Sequence, residues 1–134
     1  MKPRTIRIAV GAALLISLLL KGAGNALADS QPPIEIYLNQ GMGRWGEYYF
    51  PALGGRETHP TPKGKFTVIS KSEDFYSRKY KAPMPLAVFF TDQCAIHVGS
   101  LRVSSHGCVH VDWQTGDYIF RYADPGRTQV RVYE

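Results

Sequence analysis

This 134-residue sequence has few cysteines, no long apolar run and no basic stripe, and each of these absences argues against a class of protein. It has only two cysteines, too few for a fold held together by several disulfides. Its longest apolar run, residues 8–20, has 13 residues, whereas about 20 are needed to span a bilayer. It also lacks the basic stripe with interleaved aromatic residues that is typical of nucleic-acid binding. These absences disfavour a disulfide-dense scaffold, a membrane-spanning protein and a nucleic-acid-binding protein.

The N-terminal 28 residues have the pattern of a secretory signal peptide. A basic start at residues 2–7 precedes the apolar run, and Ala-Leu-Ala at residues 26–28 provides a cleavage site. The alternative is an uncleaved anchor in which Lys21 reaches the lipid surface. We expect cleavage rather than a stable membrane span, and therefore export to the periplasm or cell wall.

Removal of residues 1–28 changes the charge balance. This segment holds four of the 16 Lys and Arg residues and none of the 11 Asp and Glu residues. The remaining 106 residues, 29–134, therefore carry a net charge of +1 instead of +5. The basic character belongs largely to the targeting segment and gives no support for a nucleic-acid partner. A chain of this length can bury one core as a single domain.

Residue patterns predict a mostly β domain with one helix. Strands are predicted at residues 34–38, 65–70, 86–91, 95–98 and 128–133, with an edge strand at 48–53. Asp112 is a suitable N-cap for a helix that ends before the turn at 124–126, although Gly116 weakens it. We expect a turn region around glycines 41, 43 and 46, an irregular surface excursion at 71–85, and both tryptophans in the core.

All four histidines and both cysteines lie between residues 59 and 110, and three interpretations compete for them. The first is a disulfide between Cys94 and Cys108. Cys94 and His97 are three residues apart on a predicted strand, so their side chains should point to opposite faces. If His97 faces Cys108, Cys94 faces away from it, and we therefore treat Cys94 as a small buried apolar residue.

The second interpretation is a metal site, and the third is a nucleophile with its base. His106, Cys108 and His110 alternate and would share one face of a straight strand, where His97 could complete a zinc-binding set. Gly107 favours a tight turn instead. A nucleophile needs a thiol, a neighbouring imidazole and backbone N–H donors for an oxyanion, and Cys108 with His97 or His106 would supply the first two.

Several motifs resemble the L,D-transpeptidase catalytic domain, the YkuD-like family. Residues 105–108 read SHGC, preceded by IH at 96–97; residues 61–66 read TPKGKF; residues 82–85 read APMP before an apolar stretch. The DPGRT turn at 124–128 before VRVY is also similar. The resemblance covers most of residues 29–134 and implies a β-sandwich of mixed sheets with one covering helix.

The resemblance also implies roles for individual residues. The catalytic set implied by the family comprises Cys108 as nucleophile, His97 as general base, Ser105 and His106 as site-shaping residues, and Gly107 and Cys108 as oxyanion N–H donors. Because Val98 follows the base, a backbone carbonyl must orient the imidazole. The loop from His97 to Ser105 is short for the family.

Four further residues are candidates for substrate binding. His110 stands where the family commonly has Arg or Asn, Arg102 lies in the shortened loop, and Tyr80 and Met84 could line a cleft. Each also has a structural interpretation, as packing or as a solvated loop residue.

The function implied is peptidoglycan transpeptidation without metal or organic cofactor. A thioester to the tetrapeptide stem would form with loss of D-Ala, and an amine of another stem or an envelope-protein lysine would accept the acyl group. The alternatives are an L,D-carboxypeptidase, which uses water, a non-catalytic wall-binding module, and a metal-binding periplasmic protein.

Overall fold

A computed structural model describes residues 30–134. The predicted signal peptide and its cleavage site lie outside this part of the chain. Within the described residues, no helix has both the length and the apolar character needed to cross a membrane.

Within residues 30–134, nine strands and one α-helix follow one another. The strands are β1 Ile34–Tyr37, β2 Met42–Trp45, β3 Tyr48–Pro51, β4 Gly64–Thr67, β5 Ser70–Ser77, β6 Ala82–Phe89, β7 Ala95–Val98, β8 Val109–Val111 and β9 Gln129–Tyr133. The helix α1 is Trp113–Tyr122. The strands form two sheets, in the orders β3-β2-β1-β9-β4 and β5-β6-β7-β8.

The first sheet is built around the pairing of β1 with β9, which run parallel. Alternate residues of both strands are apolar and face the interior, so each strand buries one side only. Ile34, Ile36, Val130 and Val132 lie opposite each other and are all buried. The edge strand β3 contains Pro51, as expected of a residue that cannot donate to a ladder.

The second sheet carries one antiparallel hairpin and one parallel pair. β5 and β6 form the hairpin, β7 pairs antiparallel with β6, and β8 runs parallel to β7. Buried residues of this sheet, Val88, Ile96, Val109 and Val111, join the same core cluster as the first sheet. The predicted mixed β-sandwich is therefore confirmed.

The helix α1 covers the second sheet at β6 and β7. Asp112 caps it, since its carboxylate accepts a hydrogen bond from the Thr115 N–H at 2.8 Å. Gly116 is buried where a Cβ would lie only 2.4 Å from Cγ2 of Val98 in β7. The glycine that weakens the helix in isolation is what allows it to pack this closely on β7.

Three sequence expectations were wrong. Residues 71–85 are mostly the β5–β6 hairpin, whose side chains are partly exposed and so lack the alternation of a core strand. The glycine-rich segment around Gly43 contains strand β2, where a Cβ on Gly43 would lie 2.3 Å from the Phe50 ring. Trp113 is 65 % exposed at the start of α1, whereas Trp45 is buried.

Gly116→Ala should destabilise the protein by up to about 2 kcal/mol. The helix gains roughly 1 kcal/mol of propensity, but overpacking against Val98 costs about 1–3 kcal/mol. Urea unfolding measures the change. In a Val98→Ala background the clashing methyl group is gone, so the same substitution should stabilise; destabilisation in both backgrounds would contradict this account.

Candidate active site

The pairing of β7 with β8 brings the predicted site residues into one cleft. His97 of β7 lies opposite His110 of β8, and Cys108 directly precedes β8. The cleft has a volume of about 560 Å³. Of the predicted site residues it is lined by Tyr80, Met84, His97, Ser105, His106, Cys108 and His110.

The His97 imidazole is oriented by the main chain. It is buried, with 5 % of its surface exposed, and its Nδ1 lies 2.8 Å from the carbonyl oxygen of Val98. A carbonyl can only accept, so Nδ1 carries the proton and Nε2 is left as the basic nitrogen. The expected orientation by a backbone carbonyl is therefore observed.

Burial also fixes the charge of His97. Loss of solvation, opposed by the Val98 hydrogen bond and assisted by the nearby His110, lowers the pKa of His97 to about 4. The rings of His97 and His110 meet edge to face with centroids 4.8 Å apart. At neutral pH His97 is thus an uncharged imidazole, which can accept a proton.

The thiol of Cys108 lies against the backbone at the start of β7. Its Sγ is 3.5 Å from the Ala95 N–H, which donates to it, and 4.0 Å from the Gln93 carbonyl oxygen. Burial raises the pKa of the Cys108 thiol, and the Ala95 hydrogen bond partly opposes that rise. The resting thiol is therefore neutral, and a base must remove its proton before it can act as a nucleophile.

Ser105 closes the turn that contains the thiol. Its hydroxyl donates to the Cys108 carbonyl oxygen at 2.5 Å and accepts from the Gly107 N–H at 3.1 Å. Gly107 has φ +124°, a conformation that other residues rarely adopt. Because the Gly107 N–H is already donated to Ser105, its predicted use as an oxyanion donor would require this bond to be exchanged.

A second segment, residues 53–61, packs against the turn formed by residues 105–108. Gly55 forms an isolated β-bridge with Ser105, and a Cβ on Gly55 would lie 2.8 Å from the Gly107 nitrogen. The Gly55 N–H donates to Oγ1 of buried Thr61 at 2.9 Å. The threonine of the TPKGKF motif thus holds in place the glycine on which the thiol-bearing turn rests.

Arg56 anchors the same turn from one side. Its backbone N–H donates to the Ser105 carbonyl at 3.0 Å, and its guanidinium donates to the carbonyls of Ser105 at 3.2 Å and Ser104 at 3.1 Å. Sequence analysis missed this residue. An arginine that binds main-chain carbonyls carries no pattern in the sequence, so no signal was available to find it.

The β5–β6 hairpin forms one wall of the cleft. Tyr80, in its turn, stacks on the ring of His106 with centroids 4.1 Å apart and 13° between the planes. Met84 of β6 is buried and also faces the cleft. The segment expected to be a surface excursion therefore contributes directly to the site.

The other two substrate-binding candidates take different positions. His110 lines the cleft, and its Nδ1–H donates to the Ser100 carbonyl at 2.8 Å. A Cβ on Gly99 would lie 2.6 Å from the His110 ring, so glycine leaves room for the histidine. Arg102 lies outside the cleft, on a neighbouring shallow groove.

Both cysteines are free thiols, and their placement corrects one sequence argument. Cys94 lies in the turn before β7, not on the strand, so strand alternation does not govern its direction. It lines the same cleft as His97 and Cys108 instead of facing away. Among residues 30–134, no group of three or more His, Cys, Asp or Glu side chains is arranged to hold a metal ion.

A thiol and a neutral imidazole in one cleft are what nucleophilic acyl-transfer chemistry requires. Residues 34–132 match the family model of the L,D-transpeptidase catalytic domain, YkuD. This match spans well over half of the chain, and the chain belongs to the L,D-transpeptidase family. No match was found among curated proteins.

Solved structures share the fold. An L,D-transpeptidase from Stackebrandtia nassauensis is 17 % identical with a TM-score of 0.70, covering 83 % of this chain and 62 % of that one. One from Mycobacterium tuberculosis H37Rv is 25 % identical with a TM-score of 0.66, covering 75 % and 57 %. Mycobacterium tuberculosis L,D-transpeptidase 3, in complex with a faropenem-derived adduct, is 21 % identical with a TM-score of 0.64, covering 75 % and 59 %. The chain spans about six tenths of the length of these relatives.

The lowered pKa of His97 predicts a loss of stability in acid. Between pH 6.5 and about 4, His97 is protonated in the unfolded state, where its pKa is 6.5, but stays neutral in the folded state, where its pKa is about 4. Stability contributed by neutral His97 is therefore complete above about pH 6.5 and falls as the pH drops towards 4, by about 3 kcal/mol in total. Urea unfolding across this range should show a steeper decline for the wild type than for His97→Gln; parallel curves would contradict the assignment.

Proposed function

We propose that this protein is a peptidoglycan L,D-transpeptidase that uses Cys108 as nucleophile and His97 as general base. The observation that carries the proposal is the neutral Cys108 thiol and the neutral, main-chain-oriented His97 imidazole in one cleft of an L,D-transpeptidase domain. The reaction needs a proton acceptor beside a thiol, and no cofactor takes part in it.

Acylation begins with transfer of the thiol proton to Nε2 of His97. The thiolate attacks the carbonyl carbon at the L-centre of diaminopimelate, the third residue of the tetrapeptide stem. Collapse of the tetrahedral intermediate breaks the bond to the terminal D-Ala, whose amine takes the proton from His97. A thioester on Cys108 and free D-Ala remain.

The thioester is then resolved by an acceptor. An amine of a second stem gives a 3→3 cross-link, and an envelope-protein lysine gives a tethered protein; His97 takes the amine proton and the thiol is restored. With water as acceptor the same site is an L,D-carboxypeptidase. All three outcomes share the acylation step.

Oxyanion stabilisation and substrate contact fall to the surrounding turn and wall. The backbone N–H groups of Gly107 and Cys108 are the proposed oxyanion donors, with Ser105 and His106 shaping the turn. Tyr80, Met84 and His110 are proposed to contact the stem because they line the cleft. Arg102 lies on the adjoining groove and would meet only a part of the substrate that extends beyond the cleft.

The proposed substrate places the protein outside the cytoplasm. Peptidoglycan stems are found in the periplasm or cell wall, and the signal-peptide pattern at residues 1–28 agrees with export there. Cleavage of that segment stays a prediction.

Acylation of Cys108 is tested by intact mass after incubation with a disaccharide-tetrapeptide and, separately, with imipenem, which a related L,D-transpeptidase binds in a solved complex. We expect a covalent adduct that maps to Cys108, together with release of D-Ala from the peptide substrate. Cys108→Ala should lose both, because the substitution removes the proposed nucleophile. The matched variant Cys108→Ser keeps the size of the side chain and should also lose acylation, since a serine hydroxyl is far less acidic.

The product distribution then separates the acceptors. Cross-linked dimers show a transpeptidase, and tripeptide alone shows a carboxypeptidase. An unmodified Cys108 in folded protein that still binds cell-wall material would overturn the enzymatic proposal in favour of a wall-binding module.

A further inference from the structure

The two thiols of the cleft lie close to each other at the edge of the second sheet. A Cβ placed on Gly107, the residue before Cys108, would lie 3.3 Å from the Sγ of Cys94. Both cysteines are half-buried and line the same cleft. The proposed reaction uses only Cys108, so Cys94 has no assigned role.

Cys108 in turn lies against the backbone on both sides of Cys94. Its Sγ is 3.5 Å from the nitrogen of Ala95 and 4.0 Å from the carbonyl oxygen of Gln93. These two atoms belong to the peptide groups that flank Cys94 along the chain. The Cys108 sulfur therefore faces the Cys94 residue itself, and not merely the same part of the cleft.

The position of Cys94 is fixed by a tight turn. Its N–H donates to Oγ1 of Thr91 at 2.8 Å, and its carbonyl accepts from the Phe90 N–H at 3.0 Å. A disulfide requires the two sulfurs to approach to about 2.05 Å. Cys94 precedes β7 and Cys108 precedes β8, so side-chain rotation at the two positions leaves the β7–β8 pairing intact.

We propose that Cys94 is a resolving cysteine, which forms a reversible disulfide with Cys108 when a hydroperoxide oxidises the nucleophile. The Cys108 thiolate attacks the peroxide oxygen, breaks the O–O bond and becomes a sulfenic acid with release of hydroxide. The Cys94 thiol then attacks the sulfenic sulfur, the S–O bond breaks and water leaves. In balance, two thiols and one hydrogen peroxide give one disulfide and two water molecules.

This bond would have two consequences. It blocks acylation, because no thiolate is available, and it stops Cys108 from reaching the irreversible sulfinic and sulfonic states. A dithiol reductant restores both thiols. The effect on activity rests on the proposed role of Cys108 as nucleophile, whereas formation of the bond does not.

The test treats the protein with hydrogen peroxide and follows intact mass, non-reducing peptide maps and imipenem acylation. For the wild type we expect a product lighter by two hydrogens, a cross-linked peptide pair containing Cys94 and Cys108, and loss of acylation that dithiothreitol reverses. For Cys94→Ser we expect two or three added oxygens on Cys108, the sulfinic or sulfonic state, and a loss that the reductant does not reverse. Acylation is expressed relative to the reduced form of each variant.

The contrary results are equally distinct. Added oxygen on wild-type Cys108, with the same irreversible loss in wild type and Cys94→Ser, would overturn the proposal, and so would a disulfide only between two molecules. If the cross-link forms but the reduced protein is never acylated, the proposed function fails and the disulfide assignment stands.

Discussion

Parallel pairing of β7 with β8 sets His97 opposite His110 and leaves Cys108 at the point where β8 begins. Both strands are short and contribute buried apolar residues to the core between the sheets. A change in their register would move His97 to the other face of its strand and separate it from Cys108. The chemistry of the cleft therefore depends on a pairing that is itself stabilised by burial of Ile96, Val109 and Val111.

Around this pair, the site is positioned almost entirely by bonds to the main chain. His97 donates to a backbone carbonyl, Cys108 accepts from a backbone N–H, and Ser105 does both. Arg56 contributes a further set of donors to the carbonyls of the same turn. Such bonds fix the directions of the side chains that are proposed to react, and preorganisation of this kind is what favours a transition state.

The same environment sets the charges of His97 and Cys108. Burial disfavours both the imidazolium and the thiolate, so both groups are neutral at rest, and in the proposed reaction the proton moves only when a substrate is attacked. The cost of this arrangement is sensitivity to acid at His97. A second thiol, Cys94, lies within the same cleft, where the proposed disulfide with Cys108 would form.

Sequence determined the larger part of the architecture and the family to which the domain belongs. Alternating apolar residues predicted β1 and β9, the capping carboxylate of Asp112 predicted α1, and the SHGC and TPKGKF motifs predicted the domain family. These features are local, so they can be read along the chain. The β5–β6 hairpin was not predicted in this way, because the half-exposed strands lack a regular alternation of apolar and polar residues.

Only the tertiary structure decided which side chains share the cleft. The direction of Cys94 follows from a turn and not from strand alternation, and Arg56 acts on carbonyls nearly 50 residues away. Gly116 likewise weakens the helix by its propensity yet permits the contact with Val98. In each case the deciding contact either joins residues that are distant in sequence or is made by the backbone. Contacts of these two kinds leave no pattern in the order of amino acids.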